Sequence, residues 1–185
     1  VVHVHATDFD RSRGNVNPTV FAIEMDGMNH ADHIITVSDL TRRTVIEKYH
    51  QDPSKVTTVH NAVTPLSPAI LNLPDKRGVK DKVVTFRGRI TMQKGCEYFV
   101  EAAARVLAKR PEGGRFIMAG SGEKMDEMIR LAARYNISDR FHFTGFMKGQ
   151  QVYEVFRSSD VYVMPSVSEP FGISPLEAMQ CGTPT

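Results

Sequence analysis

Short apolar runs alternate with amphipathic stretches along most of this chain, at the spacing expected when strands and helices take turns. Val1-Val-His-Val-His5 reads as a short strand with both histidines on one face, followed by a polar loop to Asn17. Pro18 suits the first turn of a helix whose apolar positions are Phe21, Met25 and Met28. Residues 34–37 form a buried strand, and Ser38 caps a helix running toward Tyr49. Residues 55–59 are another strand, ending at His60-Asn61-Ala62-Val63. The stretch 64–82 contains Pro65, Pro68, Pro74 and Gly78 with little periodicity and reads as an interdomain connection. From Lys82 the pattern sharpens. Strands at 83–86, 115–119, 141–143 and 161–164 alternate with helices at 95–109, 123–135, 149–157 and 174–181. The first of these helices shows Phe99, Ala102, Ala103, Val106 and Leu107 as its apolar face, and Pro111 prevents its continuation.

This order predicts an α/β fold with parallel sheets and right-handed crossovers. Residues 1–64 are expected to close one domain, 65–81 to link, and 82–185 to form a second. Ligands of such sheets bind at the carboxyl ends of the strands. Four loops of the second half fall there. They are Gly88-Arg89 to Lys94-Gly95, Gly120-Ser121-Gly122, Thr144-Gly145-Phe146, and the stretch from Glu169 to Glu177. The expectation is that consecutive strand ends gather two cations and two acids around one crevice.

Composition narrows the classes without naming a function. Hydrophobic residues make up 41% and charged residues 24% of the 185, which excludes a disordered or fibrous chain. A net charge of +2 gives no reason to expect nucleic acid as a partner, while peripheral membrane association and oligomeric state are left open. Cys96 and Cys181 lack metal-ligand spacing and read as reduced, buried thiols of a cytoplasmic protein. The chain opens inside a strand and stops just after Cys181-Gly182, so it reads as an internal piece of a longer protein.

Arg89 and Lys94 combine a planar fork and a point charge beside flexible backbone, a pairing that holds a diphosphate from two sides. Were that diphosphate a leaving group, the same cations would stabilise its developing charge. The plainer reading is two solvated surface cations. Glu169 and Glu177 flank a glycine-bearing turn and suit hydrogen bonds from vicinal hydroxyls, as on a sugar or ribose. For Glu177 the competing reading is a capping box, with Ser174 as N-cap and Pro175 at the first helical position. Asp8-Phe9-Asp10 matches a short metal–diphosphate motif, and His30 with His33 lies near Asp26 and Asp32. Both read better as local polar structure than as metal sites, so no metal is expected.

The combination Gly88-Arg89-x4-Lys94-Gly95, Gly120-Ser121-Gly122 and Glu169-x7-Glu177, the last within Glu-Pro-Phe-Gly…Leu-Glu-Ala, resembles glycosyltransferase family 4. Upstream, Ala31-Asp32-His-Ile-Ile-Thr-Val37-Ser38 and His60-Asn61-Ala62-Val63 continue the resemblance, with Ala62 where the family carries a glycine. The resemblance implies a retaining GT-B enzyme of two Rossmann-like domains, both incomplete here. It would move a hexosyl group from a nucleoside-diphosphate sugar to a carbohydrate acceptor, with no cofactor. It implies that Arg89 and Lys94 contact the diphosphate and that Glu177 takes the ribose hydroxyls. Glu169 and the backbone of Phe171, Gly172 and Ile173 would hold donor sugar and phosphate. His5 would reach the donor sugar from the first domain. Gly88, Gly120 and Gly122 would lie along the nucleotide, and the Phe146 loop near its base. For His5 a polar strand end is the plainer alternative. A phosphorylase, an epimerase and a sugar-nucleotide-binding module without catalysis are the competing functions.

Overall fold

The computed structural model describes residues 1–72 and 80–185. The chain divides into two compact units. The first comprises Val1–Ala62 together with Val167–Ile173. It contains β1 (Val2–Val4), α1 (Asp8–Arg11), α2 (Pro18–Asn29), β2 (Ile34–Thr36), α3 (Asp39–Lys48) and β3 (Val56–Thr58). The strands form a parallel sheet in the order β1-β2-β3, with Val2 beside Ile34 and Ile34 beside Val56. Helix starts follow their caps. The Asn17 side chain accepts from the Thr19 and Val20 amides ahead of Pro18, and Ser38 Oγ accepts from Thr41 N at 3.1 Å. The core joins Val4, Met28, Ile34, Val45, Tyr49 and Val56, with the Phe21 ring stacked on Tyr49 at 4.8 Å.

The loop expected between His5 and Asn17 contains α1 instead. Asp10 Oδ2 accepts from Thr7 N at 2.8 Å and from Thr7 Oγ1 at 3.1 Å, closing a capping box around one turn of helix. One turn is too short for hydrophobic periodicity to reveal.

The second unit comprises Val63–Ser166 and Ser174–Thr185. Its elements are α4 (Pro68–Leu71), β4 (Val83–Arg87), α5 (Cys96–Lys109), β5 (Arg115–Ala119), α6 (Met125–Arg134), β6 (Phe141–Gly145), α7 (Gln150–Arg157), β7 (Val161–Tyr162) and α8, which runs Ile173–Gln180. All four strands are parallel, in the order β6-β5-β4-β7. Phe86, Phe99, Phe116, Met118 and Met128 form the centre of its core, and Phe156, Tyr162 and Ala178 a smaller one. Phe99 is 2% exposed. Burying such a ring stabilises by about 1.5–3 kcal/mol.

Four expectations change. The buried stripe of α5 is Cys96, Phe99, Val100, Ala103 and Leu107, whereas Ala102 and Val106 face solvent. The i, i+4, i+8 row through Phe99 sets that stripe, and those two positions fall about 60–100° to its side. Part of the stretch read as a linker is helical, because Pro68 pre-sets the first turn of α4. Residues 73–79 of that stretch, with Pro74 and Gly78, lie outside the described residues. β7 ends at Tyr162 rather than at residue 164, although Val163 N still donates to Thr85 O at 2.8 Å. Finally, Val167–Ile173 groups with the first unit rather than with residues 82–185.

Candidate active site at the strand ends of the second unit

Register brings Arg87, Ala119 and Gly145 side by side at the ends of β4, β5 and β6. The loops that follow are fastened to one another. Gly88 N donates to Ala119 O at 3.0 Å, Ile90 N to Ser121 O at 2.9 Å, and Gly120 N to Gly145 O at 2.9 Å. Gly120 has φ +145, and a Cβ there would overlap the Gly88 carbonyl oxygen. At Gly122 a Cβ would run into the Ile90 backbone. Both glycines are therefore required by loop-on-loop packing, before any ligand is considered. Gly95, at φ +61, ends the turn that carries Lys94, and a Cβ on it would strike the Pro165 carbonyl.

These loops enclose a cavity of about 430 Å³, within the usual size of small-ligand sites. Arg87, Arg89, Lys94, Gly88, Gly120 and Phe146 are on its wall, and Gly122 is not. Among the described residues the wall carries three cations and no carboxylate. Arg89 is exposed, and its side chain makes no hydrogen bond or ion pair with the described residues. Phe146 is 74% exposed, an aromatic face left in water beside that charge. The arrangement suits a polyanion carrying a flat apolar group.

Glu177 lines an adjoining cavity of about 280 Å³ that shares Arg87, Phe146 and Met147 with the first. Arg87 Nη1 donates to Glu177 Oε2 at 2.6 Å and to Ser174 Oγ at 2.9 Å. The competing capping-box reading is thereby overturned. α8 opens at Ile173, one residue before Ser174, and both would-be capping side chains are taken up by Arg87. Sequence reading missed Arg87. The backbone behind it is fixed too, since Tyr162 Oη donates to Arg87 O at 3.1 Å.

The remaining expected residues belong to the first unit. Glu169, Phe171, Gly172 and Ile173 lie on the 167–173 segment. Ser168 Oγ donates to Asp10 Oδ1 at 2.6 Å, and the Phe171 ring lies 5.7 Å from that of His60. Among the described residues, the amides of Phe171, Gly172 and Ile173 find no protein acceptor. His5 lines a first-unit cavity of about 340 Å³ with His3, Arg11 and Glu24, its ring 4.3 Å from that of His3. Glu24 accepts from Arg11 Nη1 at 3.4 Å, from Asp8 N at 3.1 Å and from the Tyr49 hydroxyl. Burial, then the bond to Glu24, raises the Tyr49 phenol well above its ordinary range.

Asp8 Oδ2 accepts from Asn17 N at 2.7 Å, so both carboxylates of Asp8-Phe9-Asp10 serve the local backbone. His30 Nδ1 bonds to Asp26 O, and His33 Nε2 to Thr57 Oγ1, each at 3.0 Å. Cys96 and Cys181 are free and buried. Burial, with Glu97 beside it, pushes the Cys96 thiol up to about 12, and burial raises Cys181 as well.

A parallel sheet whose strand ends surround a cation-lined hollow defines a Rossmann-like unit with its candidate ligand site at the carboxyl edge. The chain belongs to the glycosyl transferases group 1 family, whose model matches residues 73–185; the model for Glycosyltransferase Family 4 matches residues 1–65. An uncharacterized glycosyltransferase of Methanocaldococcus jannaschii is 32% identical over all of this chain and 50% of its own length. The 2-deoxystreptamine glucosyltransferase of Streptomyces kanamyceticus is 32% identical over 91% of this chain and 45% of its own. The chain thus spans half or less of these relatives. Anabaena HepE, solved in complex with UDP and glucose, shares the fold with a TM-score of 0.80 and 22% identity, over 99% of this chain and 51% of that one. The fold is accordingly α/β of the GT-B type, with a parallel sheet in each unit. Among the described residues no helix is long and apolar enough to cross a membrane.

Proposed function

We propose that the whole protein is a nucleotide-sugar-dependent glycosyltransferase that moves a hexosyl group to a carbohydrate acceptor with retention of configuration and without a metal. The observation that carries this reading is the cavity whose wall holds Arg87, Arg89 and Lys94, with the exposed Arg89 side chain making no hydrogen bond or ion pair with the described residues. A diphosphate supplies negative charge to match Arg89, and as a leaving group it gains more charge while the glycosidic bond breaks. Arg89, unpaired within the described protein, is free to take that charge, with Lys94 beside it on a turn clamped by Gly95. Phe146 offers a stacking face for the base, and Glu177 a carboxylate for the ribose hydroxyls. Glu169 and the amides of Phe171, Gly172 and Ile173 are assigned to the donor sugar and phosphate, and His5 to the sugar. The HepE complex, with UDP and glucose bound to a protein of the same fold, supports the substrate class.

The test is to incubate the full-length protein with UDP-, GDP- and ADP-sugars and a panel of glycan acceptors, and to follow products by mass and by anomeric NMR signals. Transfer with the donor's anomeric configuration is expected. Turnover that depends on orthophosphate, or sugar isomerisation without an acceptor, would replace the proposal with a phosphorylase or an epimerase. Nucleotide binding without any turnover would leave a binding module.

A further inference from the structure

We propose that Arg87 is a positioning residue for the nucleotide's ribose, acting through Glu177. The proposal rests on the donor-site reading given above. Arg87 is the last residue of β4, and its guanidinium stands between the two cavities, since it lines both. It reaches α8, where one nitrogen holds Glu177 Oε2 at 2.6 Å and Ser174 Oγ at 2.9 Å. The pair is partly sheltered, with side-chain exposures of 28% and 19%. The platform is rigid, because Arg87 pairs with Ala119 in the sheet and its carbonyl is held by buried Tyr162.

The chemistry of this arrangement is selective. A free glutamate on a helix samples several rotamers, and ordering it on binding weakens affinity by roughly three- to ten-fold. Arg87 orders it beforehand. Only Oε2 is used, and Oε1 receives no bond from the described protein, so one carboxylate oxygen is left to accept from a vicinal diol. The ion pair also turns the carboxylate toward Arg87 on the side of the smaller cavity. Arg87 thus serves the ribose, while the other two cations serve the diphosphate.

The experiment measures binding to the full-length protein by calorimetry. Of UDP, GDP and ADP, the tightest binder is compared with its 2′-deoxy form and with inorganic pyrophosphate. The proteins are the wild type, Arg87→Met, Arg87→Lys, Glu177→Gln and the Arg87→Met/Glu177→Gln double variant, each checked for folding by its unfolding midpoint. The wild type should prefer the ribonucleotide by roughly ten-fold. Arg87→Met should lose about five-fold in ribonucleotide affinity, leave the deoxy form and pyrophosphate unchanged, and add nothing in the Glu177→Gln background. Arg87→Lys should restore part of the preference, and it decides the matter alone if the Met variant does not fold. Equal weakening of all three ligands, persisting in the Glu177→Gln background, would make Arg87 a third diphosphate cation and overturn the proposal. So would an unchanged preference in both Arg87 variants. A wild type that binds none of the three nucleotides would instead remove the donor-site reading, and this proposal with it.

Discussion

Around Glu24 in the first unit, three donors from Arg11, Asp8 and Tyr49 converge on one carboxylate. In the second unit, the Arg89 guanidinium makes no hydrogen bond or ion pair with the described residues. Both places line a cavity beside a parallel sheet. In the first, charge is matched within the protein, and the result is a fixed scaffold between α1, α2 and the end of α3. In the second, positive charge is left over among the described residues, open to a ligand or solvent. The difference teaches that an unmatched charge on a rigid frame is a better pointer to binding than a rich polar network.

Four measurements break or sharpen that contrast. The largest effect is expected from Arg89→Ala and Lys94→Ala in the full-length protein. Each should lower turnover by about 100- to 1000-fold, the cost typical of removing one donor to a developing anion. For Arg89→Ala the unfolding midpoint should stay put, and a large stability loss there would make Arg89 a structural residue. Next, Glu24→Ala should cost about 2–3 kcal/mol of stability by orphaning three donors, with nucleotide affinity unchanged in titrations.

The third is a pH series of denaturant midpoints. Tyr49 and Cys96 are raised above ordinary values of 10.0 and 9.0, so the folded state holds their protons more tightly than the unfolded chain. Their contribution is complete below about pH 9 and is lost as pH climbs toward 12, so stability should be flat through neutrality and decline in alkali. A midpoint that rises above pH 9 would contradict the assignment. The smallest change belongs to Arg11→Met. That guanidinium is 51% exposed at 3.4 Å from Glu24, and its loss should move stability by no more than about 0.5 kcal/mol.

Much of this was legible in the amino-acid order, for identifiable reasons. Asn17-Pro18 and Ser38 mark helix starts through bonds made within three residues, so they show in sequence. The strand-end loops announced themselves through Gly88, Gly95 and Gly120, the last two for packing reasons that spacing alone does not reveal. Arg87 was invisible. It closes an apolar strand, and its partner lies 90 residues away, so no local pattern relates the two. The capping-box alternative for Glu177 arose from the same cause. The local capping partner was in view and the distant cation was not. Ser168, bound to Asp10 across 158 residues, belongs to the same class.

The membership of residues 167–173 has a practical bearing on any attempt to take the molecule apart. A single cut at the 62–63 peptide would separate contacts made within the first unit, because the amino-terminal piece would lose Ser168 from Asp10 and Phe171 from His60. The carboxyl-terminal piece would carry those residues with nothing of their own unit to rest on. Limited proteolysis, domain exchange with relatives and split-protein reporters should therefore treat the chain as interleaved, keeping the late segment in whatever molecule supplies residues 1–62.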